Sequence, residues 1–309
     1  MTSTTEQTRL ISHAQAPLSI EETLDVISKR IRQEGEKPHV TVRSQLALLH
    51  ELSEFDFGRF LLQNQGVNGY WTHYMLTHPW YPEKPLTKLE DFLLNRAPTL
   101  LATQQRFKIF LKENQTQVKP DANLACIPCG MMGELVYLDF QNTNSIKLTG
   151  IDYDQEALQL AAALAKVRNI SASLNLIQRD AWHLEMENTF DLISSNGLNV
   201  YEKDNNKVEA LYQQFYNALK PGGKLVTSFL TPPPGLNDQC EWEMSRVNKD
   251  DLLIQKVIFV DIMQAKFQSY RTSRQTKAQL ESVGFNDIQL IPDDANIFPT
   301  VVAYKGKSQ

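Results

Sequence analysis

Apolar residues recur at helical spacing through the first third of the chain and at strand spacing after it. Leu24, Ile27 and Ile31 form one stripe behind Ser19 and Glu22, a capping-box pair, which predicts a helix; Val42, Leu46, Leu49 and Leu52 predict a second. Residues 66–72 read as a glycine-bounded turn entering another helix. Thr87 and Glu90 repeat the capping signature before Leu89, Phe92 and Leu93. Pro98 suits the first turn of a helix carrying Leu101, Phe107 and Phe110. Residues 19–119 therefore read as a helical cap region. Residues 1–18, polar and without period, read as a flexible tail.

After Pro120 the pattern changes. Short apolar runs at 124–127, 146–151, 174–177, 190–194 and 224–230 alternate with helical stripes, of which Leu158, Ala161, Leu164 and Ala165 form one and Val208, Leu211, Phe215 and Leu219 another. A helix from Ser273 ends at Gly284, and the runs 288–291 and 299–304 leave no room between them for a crossover helix, so they should pair antiparallel. The expected fold is a doubly wound α/β domain over 120–309. Its seven-stranded, mostly parallel sheet has one antiparallel strand near the C-terminal end, and a helical N-terminal region precedes it.

Composition adds exclusions. The 309 residues carry 31 Lys plus Arg against 36 Asp plus Glu, a formal charge of −5, and no basic block. Nucleic acid is a poor expectation for that surface. No stretch approaches the roughly 20 apolar residues that span a bilayer. Three cysteines, Cys126, Cys129 and Cys240, with no signal peptide, suit a reducing cytoplasm. Cys126 lies inside an apolar strand rather than at a helix start, so a redox pair with Cys129 is not expected. Neither is a metal site, because Cys240 and His183 show no ligand spacing.

The chemistry concentrates at strand ends. The loop after the first strand holds Gly130, which lets backbone approach a ligand, and Asp152 closes the second strand 22 residues later. A carboxylate there can accept from a ribose diol, or cap the helix beginning near Gln155, a role Asp154 fills equally well. The G-x-G-x-x-G and G-K-[ST] phosphate loops are absent, which argues against dinucleotides and nucleoside triphosphates.

With these residues in order, the chain resembles class I S-adenosylmethionine-dependent methyltransferases over roughly residues 124–305. The resemblance rests on the Pro128-Cys129-Gly130 loop, on Gly150-Ile151-Asp152, and on Asp180-Ala181. It rests also on Phe190-Asp191-Leu192-Ile193 running to Ser195-Asn196, and on the Leu219 to Leu225 run through Pro221-Gly222-Gly223. It implies S-adenosyl-L-methionine as cofactor. Pro128, Cys129 and Gly130 would pass under the methionine part, Asp152 would hold the ribose, and Asp180 with the Ala181 amide would read the adenine. Trp182 or Tyr153 would pack on that ring, and Ser195 and Asn196 would border the sulfonium. Cys126 stands where the family usually has an acidic residue, Pro128 where it has glycine, and the third loop glycine is displaced from Met132 to Gly133. The cofactor's ammonium thus lacks its customary partner, while Thr103 and Arg106 can help hold the carboxylate.

The resemblance implies methyl transfer to an oxygen, nitrogen or carbon of a small organic acceptor; the alternative is a nucleoside-binding scaffold on the same fold. An acceptor hydroxyl needing a base would find His73 in the helical region or His183 beside the adenine motif. Asn199 and Tyr201, after the fourth strand, can orient it. Tyr70, Trp71 and Tyr74 can line an apolar pocket under the helical cap, with at least two of them expected to serve the core instead.

Overall fold

Helix α1 (Ile20–Glu34) starts where its side chains close the first turn: Ser19 Oγ accepts from the Glu22 amide at 3.1 Å, and the Glu22 carboxylate accepts from the Ser19 amide at 2.9 Å. Two amides with no carbonyl partner in the helix are thereby satisfied. Helices α2 (Val42–Ser53), α3 (Asp56–Asn64), α4 (Gly69–Thr77), α5 (Lys88–Asn95) and α6 (Pro98–Gln115) follow. The Thr87 and Glu90 pair forms only half of its box. Thr87 Oγ1 accepts from the Glu90 amide, but the Glu90 carboxylate turns into the helical layer and accepts from the Tyr74 hydroxyl at 2.9 Å.

The computed structural model describes residues 18–80, 85–141, 143, 145–170, 172–236 and 240–307; the expected tail, as far as residue 17, lies outside them. The strands are β1 (Asn123–Cys126), β2 (Lys147–Asp152), β3 (Ser173–Gln178), β4 (Phe190–Ser194), β5 (Leu219–Ser228), β6 (Phe285–Ile291) and β7 (Thr300–Lys305). They form one sheet in the order β3-β2-β1-β4-β5-β7-β6, parallel except for β7, which runs antiparallel to both β5 and β6. That is the expected architecture. β5 begins five residues before the expected Lys224: Phe190 pairs with Leu219, and the register then shifts so that Leu192 pairs with Lys224. Helices α7 (Gly133–Val136), α8 (Gln155–Val167), α9 (Leu198–Tyr201), α10 (Asn205–Ala218), α11 (Lys249–Lys256) and α12 (Ser273–Ser282) complete the fold. The chain winds outward from β1 to β3 and returns to β4, so a crevice opens at the carboxyl ends of β1 and β4.

The helical layer draws on two separate stretches of chain. Ile31, Leu52, Phe57, Leu61 and Leu93 share one buried cluster with Val257, Ile258 and Ile262, from a π-helical turn (Val257–Ile262) between β5 and α12. Polar contacts fix that turn. Asp261 accepts from Lys37 Nζ at 3.0 Å and lies 2.7 Å from His39 Nε2, and Arg30 donates to the Asp261 and Ile262 carbonyls. Helix α6 joins this layer to the sheet, since its Phe110 packs with Leu124, Leu148 and Leu192. Each such fully buried apolar side chain contributes about 1.5–3 kcal/mol, so the layer is held on the sheet by packing on both sides of α6. No helix among the described residues is long and apolar enough to cross a membrane.

Candidate active site

A cavity of about 310 Å³ lies at the carboxyl ends of the strands, roofed by the helical layer. Its first wall is the loop leaving β1. The Ile127 amide continues the ladder to the Ser194 carbonyl, the Cys129 amide donates to the Ile151 carbonyl, and the Gly130 amide donates to Asp152 Oδ2, each at 2.9 Å. The loop, which contains a cis peptide at Ile127–Pro128, is thus tied to both neighbouring strands. Gly130 has φ +48°, and a Cβ on Gly69, at the start of α4, would stand 2.8 Å from the Gly130 Cα. The helical layer therefore sits on the loop backbone to backbone, a contact only glycine permits.

Asp152 does not cap α8; Asp154 does, accepting from the Glu156 amide at 2.9 Å. Asp152 instead accepts from two amides, Gly130 and Asp154, which fix the carboxylate facing the cavity. Burial pushes its pKa up, and those two amides hold it down. Asp180 lines the same cavity, accepting from the Trp182 amide at 2.9 Å with its other oxygen 3.0 Å from His183 Nδ1. Trp182 donates its indole N–H to the Lys207 carbonyl at 2.8 Å, which fixes the ring at the cavity edge. Tyr153 and Ala181 also line it.

The floor holds two buried ionisable side chains, Glu134 and Arg106, which interact through their charges with no salt bridge between them among the described residues. Glu134, on α7 and 7% exposed, accepts from Ser194 Oγ at 2.8 Å and lies 3.7 Å from the Cys126 thiol. Burial pushes its pKa up, while the nearby Arg106 charge opposes that shift. Arg106, on α6, is 1% exposed and lies over Phe298 at 4.4 Å. It donates to Ser228 Oγ at 3.2 Å, but its Nε has no partner among the described residues. Burial lowers its pKa to about 10, so it stays charged at neutral pH. Asn196 also borders this floor, its side-chain oxygen accepting from Ser228 Oγ. Burial raises the thiol pKa of both Cys126 and Cys129, leaving them protonated.

From the helical layer, α3, α4 and the segment after β5 line the cavity with Phe57, Leu61, Met75, Leu76, Phe259 and Phe267. His73, on α4, lies against the end of α7, with Nε2 3.0 Å from the Tyr137 hydroxyl and the two rings stacked. Burial lowers the His73 pKa to about 4, so its ring is neutral at pH 7. Tyr201, whose pKa burial raises to about 12, accepts from the Val67 amide at 3.5 Å.

Of the residues singled out from sequence, the cavity brings together Thr103, Arg106, Pro128, Cys129, Gly130, Asp152, Tyr153, Asp180, Ala181, Trp182, Asn196, His73 and Tyr201. Three stand outside its lining. Ser195 is buried in the β4 ladder. Asn199 spends its amide on the Tyr212 hydroxyl and the Ser228 carbonyl, at 3.1 and 2.7 Å. The His183 side chain is 76% exposed, on the outer side of Asp180. Of the three aromatics proposed for the pocket, Trp71 and Tyr74 pack in the helical core and Tyr70 is exposed. Sequence reading passed over Glu134, Phe259 and Phe267. An acidic residue one place after Gly133 looks like an ordinary first-turn residue, and only the fold returns it beneath β1.

A methyltransferase-domain family profile matches residues 127–223. A solved structure described as a possible exported protein from Bordetella parapertussis is 41% identical, with 93% of this chain and 95% of that one covered and a TM-score of 0.88. Magnesium protoporphyrin IX methyltransferase from Synechocystis, solved with S-adenosylhomocysteine, is 10% identical over 77% of this chain and 99% of its own, with a TM-score of 0.50. The S-adenosylmethionine-dependent methyltransferase SibL is 13% identical over 86% and 76%, also with a TM-score of 0.50. These last two share the fold. A search of curated proteins found no match.

Proposed function

We infer from the methyltransferase-domain match over residues 127–223 that this chain carries a class I S-adenosylmethionine-dependent methyltransferase domain, and we propose that it transfers the cofactor's methyl group to an oxygen, nitrogen or carbon of a small organic acceptor. One observation carries the reading: a single cavity is lined both by polar residues at the strand ends, suited to the donor, and by apolar residues of the helical layer, suited to an acceptor. The residues present fit the cofactor. Arg106 has an unpartnered, buried Nε for a carboxylate, Glu134 a buried charge for an ammonium, and Asp152 a fixed pair of oxygens for a ribose diol. Asp180, Ala181 and Trp182 are assigned to the adenine, and Pro128 to Gly130 to the methionine chain. Glu134 takes over the task left open where Cys126 replaces the usual acidic residue.

When bound, S-adenosylmethionine supplies an electrophilic methyl carbon. The chain's own residues then align the acceptor and exclude water, the contributions on which an in-line displacement depends. Phe57, Leu61 and Phe259 shield the reacting end. We assign His73 to accept a hydrogen bond from an acceptor hydroxyl and Tyr201 to orient it. Asn199, held to Ser228 and Tyr212, acts through the position of α9 rather than by touching substrate. Three free cysteines, two of them buried, suit a reducing cytoplasm, in contrast to the export named in the relative's description.

The test is titration calorimetry with S-adenosylmethionine followed by a screen for S-adenosylhomocysteine release across small acceptors. Binding with release establishes the enzyme. Binding with no release across phenols, amines, carboxylic acids and carbon acids would replace it with the nucleoside-binding scaffold.

A further inference from the structure

The charges lining the cavity are unevenly distributed. Arg106, Glu134, Asp152, Asp154, Arg179 and Asp180 come from α6, α7 and the segments at the ends of β2 and β3, whereas α3, α4 and the segment after β5, which form an apolar chamber, contribute none. The chamber's polar atoms are few. Thr103 Oγ1 donates to the Thr99 carbonyl at 2.7 Å, and the Tyr201 hydroxyl accepts from the Val67 amide, which keeps its proton available to donate to an acceptor hydroxyl. His73 engages Tyr137 through Nε2, and its other ring nitrogen has no hydrogen-bond partner among the described residues.

Resting on the methyl-transfer reading, we propose that the acceptor is an uncharged, largely hydrocarbon or aromatic molecule presenting one hydroxyl to His73. An anionic acceptor would lose its hydration with no cation to replace it, since α3, α4 and the segment after β5 supply none and Arg106 is assigned to the cofactor's carboxylate. A protonated amine would find no carboxylate in the chamber. Burial of a hydrocarbon body against Phe57, Leu61, Met75 and Phe259 supplies affinity, and the polar contacts of the hydroxyl supply orientation. Phe259 is the specificity residue of this chamber. It comes from the segment after β5, and the π-helical turn that presents it is clamped through Asp261 by Lys37 and His39.

The probes are 4-hexylphenol, 4-hexylbenzylamine and 4-hexylbenzoate, which share a skeleton and are neutral, cationic and anionic at about pH 7.5. Each is titrated calorimetrically into the protein with and without saturating S-adenosylhomocysteine. The phenol should bind at least about tenfold more tightly than either ion. Phe259→Arg, checked for folding by its S-adenosylhomocysteine affinity, should shift the preference toward the benzoate. Equal or tighter binding of either ion, no binding of the phenol, or an unchanged order in a folded Phe259→Arg protein would each overturn the proposal. If S-adenosylhomocysteine itself fails to bind, the donor assignment falls, while the probe order measured without it still decides the character of the chamber.

Discussion

Replacing Glu134 by Gln isolates one charge in the cavity floor. The amide keeps the size of the carboxyl and can still accept from Ser194 Oγ, so packing around α7 is retained while the negative charge is lost. If Glu134 meets the cofactor's ammonium, the substitution removes a hydrogen bond between charged groups, worth about 1.5–3 kcal/mol. S-adenosylhomocysteine affinity at pH 8 should then fall by about 10- to 150-fold. The pH dependence follows from the same group. Burial raises the Glu134 pKa, so as pH falls the carboxyl takes up a proton above the usual carboxylate range and the ammonium loses its partner. Wild-type affinity should therefore weaken on acidification, and the Gln protein, already lacking the charge, should not show that step. Calorimetric titrations from pH 8 down to pH 5.5, with a thermal melt of each protein as a check on folding, measure both effects. Equal affinity of the two folded proteins at pH 8 would refute the assignment of Glu134.

Three further outcomes follow from the geometry. Asp152→Ala should lower S-adenosylmethionine affinity by about tenfold to a hundredfold or more, because it removes the proposed ribose acceptor and also frees the Gly130 amide; unchanged affinity by calorimetry would take Asp152 out of the site. Gly69→Ala should reduce both the melting temperature and cofactor affinity, since its Cβ would stand 2.8 Å from the Gly130 Cα and backbone on one side must move; a protein unaltered in both would show that the roof is not seated on the loop. His73 is buried neutral, with a folded pKa of about 4 below its ordinary value, so its contribution to stability is complete above about pH 6.5 and is lost as pH falls toward 4. Wild-type protein should lose on the order of 3 kcal/mol across that window beyond what His73→Asn loses, and parallel denaturation profiles for the two would contradict this.

The sheet was legible because its signal is local: each strand is a short apolar run, and the loops after them hold Gly130, Asp152 and Asp180 at fixed places. Residue types alone left Asp152 and Asp154 equal candidates to cap α8; Asp154 takes the Glu156 amide, and Asp152 is tied instead to the remote Gly130 amide. Capping boxes divided in the same way. Ser19 and Glu22 face only each other, whereas Glu90 is drawn away by Tyr74, a partner 16 residues distant. Glu134 and Phe259 were illegible for a physical reason. Their neighbours in space, Arg106 and Ser194 for one and the N-terminal helical cluster for the other, come from remote parts of the chain. His183 shows the converse: its place beside Asp180 in sequence suggested the cavity, but a short turn directs it outward.

A crystal structure of the protein bound to S-adenosylhomocysteine tests the whole arrangement at once. It should show the ribose hydroxyls on Asp152, the ammonium at Glu134, the carboxylate at Arg106, and the sulfur directed into the chamber that holds His73 and Phe259. A ligand bound elsewhere, or one in this cavity with its sugar away from Asp152 and its sulfur turned from the apolar chamber, would contradict the account.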